Sequence, residues 1–398
     1  MRFSRTVSVM MMCTACAADA ERADYLVRDS AGTAIIEIDA DAAPVGWRVE
    51  EQPDWEVGDR SDDIGTLALH DIADARMAGD DVVIAEAGTQ QIIRLHPATG
   101  AIRRIGADGD GPNEFRALAR VYDLGDGRIA AFDSRRRRFV EIENDGSFIN
   151  GVEVPQVSAL TQTRLERTAT GDLYAAMIAG IPATAVEGPH RGTAPVLRLG
   201  AAVDTITTLR GSMTFSDGSA MGAVLFGPNS VTAAADSGIW TGDTALRELR
   251  HWRGGAAPTT IVRWSSDEPR LLTEARKEQL WERAAENMPA QQLHMIDVMR
   301  GQVYYSDTVP AFSSLLVGTG GAVWVGSFVG PEQQMFNEPW PAQEWLVIDI
   351  EGGAVTRAAT PAGLRVKQVG DDFVIGVHSD ALGIQTVRRH RIERMGDR

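Results

Sequence analysis

The sequence predicts an all-β fold, a six-bladed β-propeller with a small helical insertion between blades four and five. Three observations predict it. A turn-and-strand unit recurs along the chain, with Gly79, Gly125 and Gly171 equally spaced at the size of one four-stranded blade, about 40–50 residues. The 40 glycines against 17 prolines supply many tight turns, which suits short strands better than long helices. The segments between turns alternate apolar and polar residues with period two, the mark of antiparallel meanders.

Each unit has the same plan. Ala78-Gly79-Asp80-Asp81 leads into Val82-Val83-Ile84-Ala85-Glu86, and Gly125-Asp126-Gly127-Arg128 into Ile129-Ala130-Ala131-Phe132-Asp133. Thr170-Gly171-Asp172 precedes Leu173-Tyr174-Ala175-Ala176. Looser copies begin at Asn229, Gly320 and Gly370, giving six units. Small residues recur in the strand after the turn: Ala85, Ala131, Ala175, Ala234, Gly326 and Gly376. Blades crowd near a propeller axis, so that strand is expected to be the innermost of its blade.

Two insertions interrupt the period. Residues 178–194, rich in Gly, Pro and Thr, read as a long loop of the third blade. Residues 267–300 read as helical, with a cap at Ser266 or Asp267 and Pro269 in the first turn. Their apolar side comprises Leu272, Ala275, Leu280, Trp281, Ala284, Ala285 and Met288, ending near Pro289; a second short helix over 291–299 would follow. Such a helix can bury its apolar side only against a propeller face. The segment Tyr25–Val57 also carries strands, notably Thr33–Ile38. An open ring would expose a sheet edge, so part of this segment is expected to join the C-terminal blade around 385–392 and close the ring.

At the N-terminus, Arg2 and Arg5 precede an apolar run from Val7 to Met12 and then small residues, the layout of an export signal over about residues 1–20. Two processing readings stand side by side. Thr14-Ala15-Cys16 matches the end of a lipoprotein signal, with Cys16 lipidated; Ala18-Asp19-Ala20 offers an ordinary cleavage site. Either route delivers an exported protein, periplasmic, outer-membrane-anchored or secreted, touching a membrane only through a lipid. The remainder, 25–394, is expected to form one domain and a monomer. Both cysteines lie at 13 and 16, so the rest of the chain has no disulfide, thiolate zinc site or cysteine nucleophile. The net charge of −16 opposes nucleic acid and anionic lipid as partners, while 44% hydrophobic residues suffice for a packed core.

Val27-Arg28-Asp29-Ser30-Ala31-Gly32 resembles the opening of bacterial six-bladed β-propeller lipoproteins, relatives of the NHL-repeat and TolB-like propellers. Gly106-Ala107-Asp108-Gly109-Asp110-Gly111-Pro112-Asn113-Glu114-Phe115 is similar to their inter-blade signature, with Asn113 where a second glycine is usual. Pro310–Val317 fits the same pattern. The resemblance spans about residues 25–394 and implies the fold; a function does not follow from it.

Candidate site residues come from the ends of the repeated strands. Glu86, Asp133, Asp236 and His378 occupy matching places, and if those strands line the axis the four side chains would meet at one tunnel mouth. Such a set could bind a ligand or hold Ca2+, as in a propeller lactonase. Each also has a plain structural role, since an Asp before Ser or Gly caps its own turn. Arg135–Arg138 form a basic patch that could grip an anion or pair with neighbouring carboxylates. Trp252, Trp264, Trp340 and Trp345 could wall a sugar or peptide site, or fill space between blades. The seven histidines are scattered, and no HExxH, nucleophile elbow or dinucleotide fingerprint occurs. No catalytic residue or required cofactor is assigned, which favours binding or scaffolding in the cell envelope, with a protein or small-molecule ligand docking at the axial mouth or under the helical cap, over a metal-dependent hydrolase.

Overall fold

The computed structural model describes residues 25–58, 67, 69–154, 163–177, 187–200, 202–217, 221–336 and 338–395. The expected export signal and Cys16 lie outside the described residues, as do 178–186 of the expected third-blade loop.

Six sheets follow one another along the chain, antiparallel apart from one parallel pairing in each of the third and fourth. Blade 1 is Ile72–Ala78, Asp81–Glu86, Gln91–His96 and Ala101–Ile105; blade 2 is Leu118–Gly125, Arg128–Asp133, Arg138–Ile142 and Phe148–Glu153. Blade 3 runs Thr163–Arg167, Leu173–Met177, Gly188–Leu199 and Val203–Ser216, with Met221–Leu225 and Tyr304–Tyr305 added outside. Blade 4 is Ser230–Ala234, Ile239–Asp243, Glu248–Trp252 and Thr260–Ser265. Blade 5 is Ser314–Val317, Val323–Gly326, Gln343–Asp349 and Ala354–Thr360; blade 6 begins Leu364–Val369, Phe373–Ser379 and Gln385–Arg394. First strands of neighbouring blades pack against one another, and Arg120 and Tyr122 of blade 2 reach the Leu165 carbonyl of blade 3, so these six surround the axis.

That order corrects one expectation. The strand after the Gly-Asp turn is innermost only in blade 4, at Ser230–Ala234; in the other five blades it is the second strand. The turn joins the first strand to the second, and small residues are needed at the second because facing sheets interlock there. Ala85 and Ala131, both fully buried, pack with Ile92, Val121 and Val140 in the layer between blades 1 and 2.

Ring closure follows the expected principle. Trp47–Val49 and Trp55–Gly58 pair antiparallel with Gln385–Arg394, completing blade 6 with strands from the chain's beginning. Val57 and Val387 face each other in that ladder, both fully buried. Thr33–Asp39 instead adds to the outer edge of blade 4, parallel to Thr260–Ser265, and Tyr25–Ser30 pairs with it as a hairpin.

Residues 188–194, expected in a loop, belong to a long hairpin of blade 3. The insertion between blades 4 and 5 is helical, but it starts later than Pro269 suggests. Helix α1 spans Glu274–Asn287 and is capped by Thr273, whose hydroxyl accepts from the Arg276 amide at 3.2 Å. Helix α2 spans His294–Gln302, and a single turn, α3, spans Glu332–Met335. Leu280, Trp281 and Ala284 of α1 are buried against Leu225, Phe226 and Ile296, with Phe328 and Phe336 at the margin. The helices therefore cover the edge of blades 3 to 5.

The inter-blade segment 106–115 folds as a closed loop. Phe115 is fully buried, and Gly106, at φ +85°, leaves no room for a Cβ against its ring. Arg136 and Arg138 donate to the carbonyls of Gly111, Pro112 and Glu114, while Arg116 pairs with Asp108 and Asp110. The basic patch thus fastens this loop.

Candidate functional site

The four acidic and histidine candidates do not meet. Glu86 pairs in register with Ile72, Asp133 with Leu118 and His378 with Leu364, so all three lie at the starting ends of inner strands. Asp236 follows the finishing end of the inner strand Ser230–Ala234 and is exposed on the opposite face of the ring. Glu86 is buried, its two oxygens accepting from the His70 and Thr89 amides at 3.0 and 2.9 Å. Asp133, also buried, accepts from the amides of Arg116, Ala117, Arg135 and Arg136 at 2.7–3.2 Å. Both carboxylates tie the end of a second strand to the approach of its inner strand. His378 is half-buried beside Gly363 (φ +82°), where a Cβ would collide with its ring; burial and the nearby Arg388 lower its pKa. Oxygens committed to backbone amides, with Asp236 on the far face, do not fit a calcium cage.

The axis is lined by a different set. On a strand, residues two apart share a face, and four inner strands carry polar pairs at that spacing: Asp74 and Arg76, Arg120 and Tyr122, Arg164 and Glu166, Arg365 and Lys367. Their side chains bridge blade to blade. Lys367 Nζ donates to the Ala73 carbonyl at 2.6 Å, and Arg365 donates to that of Ile72 at 3.3 Å. Asp74 Oδ2 receives Arg76 Nε at 3.1 Å and the Val121 amide at 3.2 Å, with Arg120 Nε at 3.9 Å. Arg120 donates to Glu166 at 2.8 Å and to the Leu165 carbonyl at 3.0 Å, and Arg164 reaches the same Glu166 oxygen at 3.1 Å. The Tyr122 hydroxyl donates to the Leu165 carbonyl at 2.8 Å. Blades 4 and 5 contribute Ala233, Ala234, Leu315 and Leu316, a wall that is uncharged apart from Asp236 at its end.

Two cavities occupy the axis. One, of about 300 Å³, is bounded by Asp74, Arg76, Arg120, Arg164, Phe132 and Lys367. The other, of about 250 Å³, shares Arg76, Arg120 and Lys367 with it and opens among Asp123, Arg167, Asp236 and Thr319. The second is lined by residues further along the inner strands than the first, so the two lie in succession along the axis with Arg76, Arg120 and Lys367 between them, and together form the axial channel referred to below. Asp236 is thus the single residue among the four candidates that lines it.

Charge in the channel is unbalanced. In the inner cavity Arg76, Arg120, Arg164 and Lys367 are set against two carboxylates, Asp74 and Glu166, both at most 5% exposed, while the mouth places Arg167 beside Asp123 and Asp236. Burial opposes ionisation of Asp74, yet Arg76, Lys367 and Arg120 hold its carboxyl below the usual range. Burial and neighbouring Arg365 push Lys367 down to about 7. Burial likewise lowers Arg164, with Arg120 adding to it, and lowers Arg365. Burial leads in all three, with neighbouring cations adding to it at Lys367 and Arg164, whereas Glu166 and Asp74 act the other way on Arg120.

The sequence carried a signal for this site, namely pairs of charged residues two apart inside strands that are otherwise buried. It lay one strand upstream of the repeated turns, in the strand taken as outer.

No family model matches the chain, and no curated protein matches it. Among solved structures, the chain is similar to a Bacteroides fragilis protein named as exported, at 11% identity over 91% of this chain and 99% of that one, with a TM-score of 0.46. It is similar to a DUF4221-family member from Bacteroides vulgatus, at 9% identity, covering 88% and 99%, with a TM-score of 0.47. A streptogramin B lyase is a third, at 10% identity, covering 88% and 98%, with a TM-score of 0.41. The topology of its own sheets makes this chain a six-bladed β-propeller, closed by strands from both ends.

Proposed function

We propose that the protein is an exported, non-enzymatic binding propeller of the cell envelope, whose small-molecule ligand enters the axial channel at the mouth beside Asp236. The observation that carries this reading is the channel itself. Charged side chains of four inner strands border open volume on the axis of the ring, the concave, polar-lined setting in which ligands bind. Export rests on the basic, apolar, small-residue order of the first twenty residues. The calcium-hydrolase alternative loses its donor set, because Glu86 and Asp133 are engaged by backbone amides.

Val317 lines the mouth and is half-buried, so Val317→Trp should plug it. Thermal-shift screening of a metabolite panel should give hits with the wild type that the plugged variant loses. Hits unaffected by the plug would remove the channel from the account, and turnover of a lactone or ester panel by the wild type would remove the non-enzymatic reading.

A further inference from the structure

We infer that the channel takes a small multivalent anion, two or more carboxylate or phosphate groups on one molecule, gripped by Arg76, Arg120, Arg164 and Lys367. This rests on the reading of the channel as a ligand chamber and names the ligand's class. The chain as a whole is acidic, at −16, so four cations set against two carboxylates in the inner cavity run against the composition. The pairing is also shared rather than one to one. Glu166 Oε1 serves both Arg120 and Arg164, and Asp74 Oδ2 serves Arg76 with Arg120 close by.

Charge without a full partner is costly where water is scarce, and the two surplus cations of the inner cavity define what would relieve it. A ligand with one negative charge would leave one uncompensated, whereas a molecule with two or more balances the cluster. Guanidinium forks suit planar carboxylate and phosphate groups. The cavity of about 300 Å³ lies at the small end of the range for ligand pockets, about 300–1,000 Å³. Polymeric anions, which would have to lie along the acidic exterior, are disfavoured by the net charge of −16.

The surplus makes two predictions of opposite sign for one variant. Arg164→Gln leaves Glu166 paired with Arg120 and removes one excess cation. Without ligand it should melt above the wild type, while its affinity for the anion should fall tenfold or more. Calorimetric titration of the full chain with citrate, succinate, inorganic phosphate and glucose tests the class. Citrate should bind the wild type most tightly, more weakly at higher salt, and glucose not at all; Lys367→Met should weaken citrate as well. The inference is overturned if none of the three anions binds at millimolar concentration, if both variants keep wild-type affinity, or if ligand-free Arg164→Gln melts lower. A neutral ligand blocked by Val317→Trp would sink the anionic class and leave the chamber reading intact. Citrate binding equally to wild type and Val317→Trp would sink both.

Discussion

Lys367 sits among Asp74 and Arg76 of blade 1, Arg120 of blade 2, Arg164 and Glu166 of blade 3 and Arg365 of its own strand. With its pKa near 7 when folded and about 10.4 when unfolded, the unfolded chain binds the extra proton between those values. Stability should therefore rise with pH from about 7 to 10, by up to ~1.4 kcal/mol per pH unit from this one group. Below pH 7 the penalty is fully present and the slope vanishes. Denaturant titrations across this window should show the rise in wild type and lose it in Lys367→Met; an equal slope in both would assign it to other groups. Because an anion holds the proton on Lys367, citrate should bind more weakly at pH 9 than at pH 6.5. Asp133 makes the contrasting case. Its Ala variant strands four amides at the join of blade 2 and should cost about 3 kcal/mol, read as a lowered melting temperature with anion affinity unchanged.

At the scale of elements, the repeat was legible and the place of its strand within the blade was not. Gly-Asp turns mark a hairpin, and a hairpin looks alike whether it joins the first strand to the second or the fourth to the next blade. The small residues after the turn suggested an axial position, but Ala85 and Ala131 are small because neighbouring sheets meet over them. Shifting the reading by one strand moves attention from Glu86 and Asp133 to Asp74, Arg120 and Arg164. The helical insertion was legible from its apolar stripe. Its start was not, because Thr273 makes the cap hydrogen bond that Ser266 and Asp267 were expected to supply. Ser266 and Asp267 instead donate to Asp41 of the N-terminal segment, a partner no local pattern reveals. Trp281, buried between α1 and blade 3, anchors the cap. Trp281→Ala should loosen it, giving rapid proteolysis within 270–303 while the melting of the ring changes little. Resistance equal to wild type would mean the other contacts suffice.

For the whole molecule, the need to bury sheet edges explains where the N-terminal segment goes, and it goes to two places. Trp55–Gly58 shuts the ring at blade 6, and Tyr25–Ser30 with Thr33–Asp39 widens blade 4. The second destination rests on a parallel pairing between segments more than two hundred residues apart, which periodicity cannot foresee. If the seam is as strong as the other sheets, amides of 55–58 and 386–389 should exchange hydrogen as slowly as those of the blade 1 and blade 2 inner strands. Exchange within seconds at the seam alone would mark it as a place where the ring opens. The closed ring in turn converges four charged strands on one axis and concentrates cations within an acidic protein. The most direct test of that arrangement is the anomalous difference density of crystals soaked in selenate. The account predicts a peak inside the channel, between Arg76, Arg120, Arg164 and Lys367. Selenate on outer arginines such as Arg28 or Arg250 with none on the axis would contradict it.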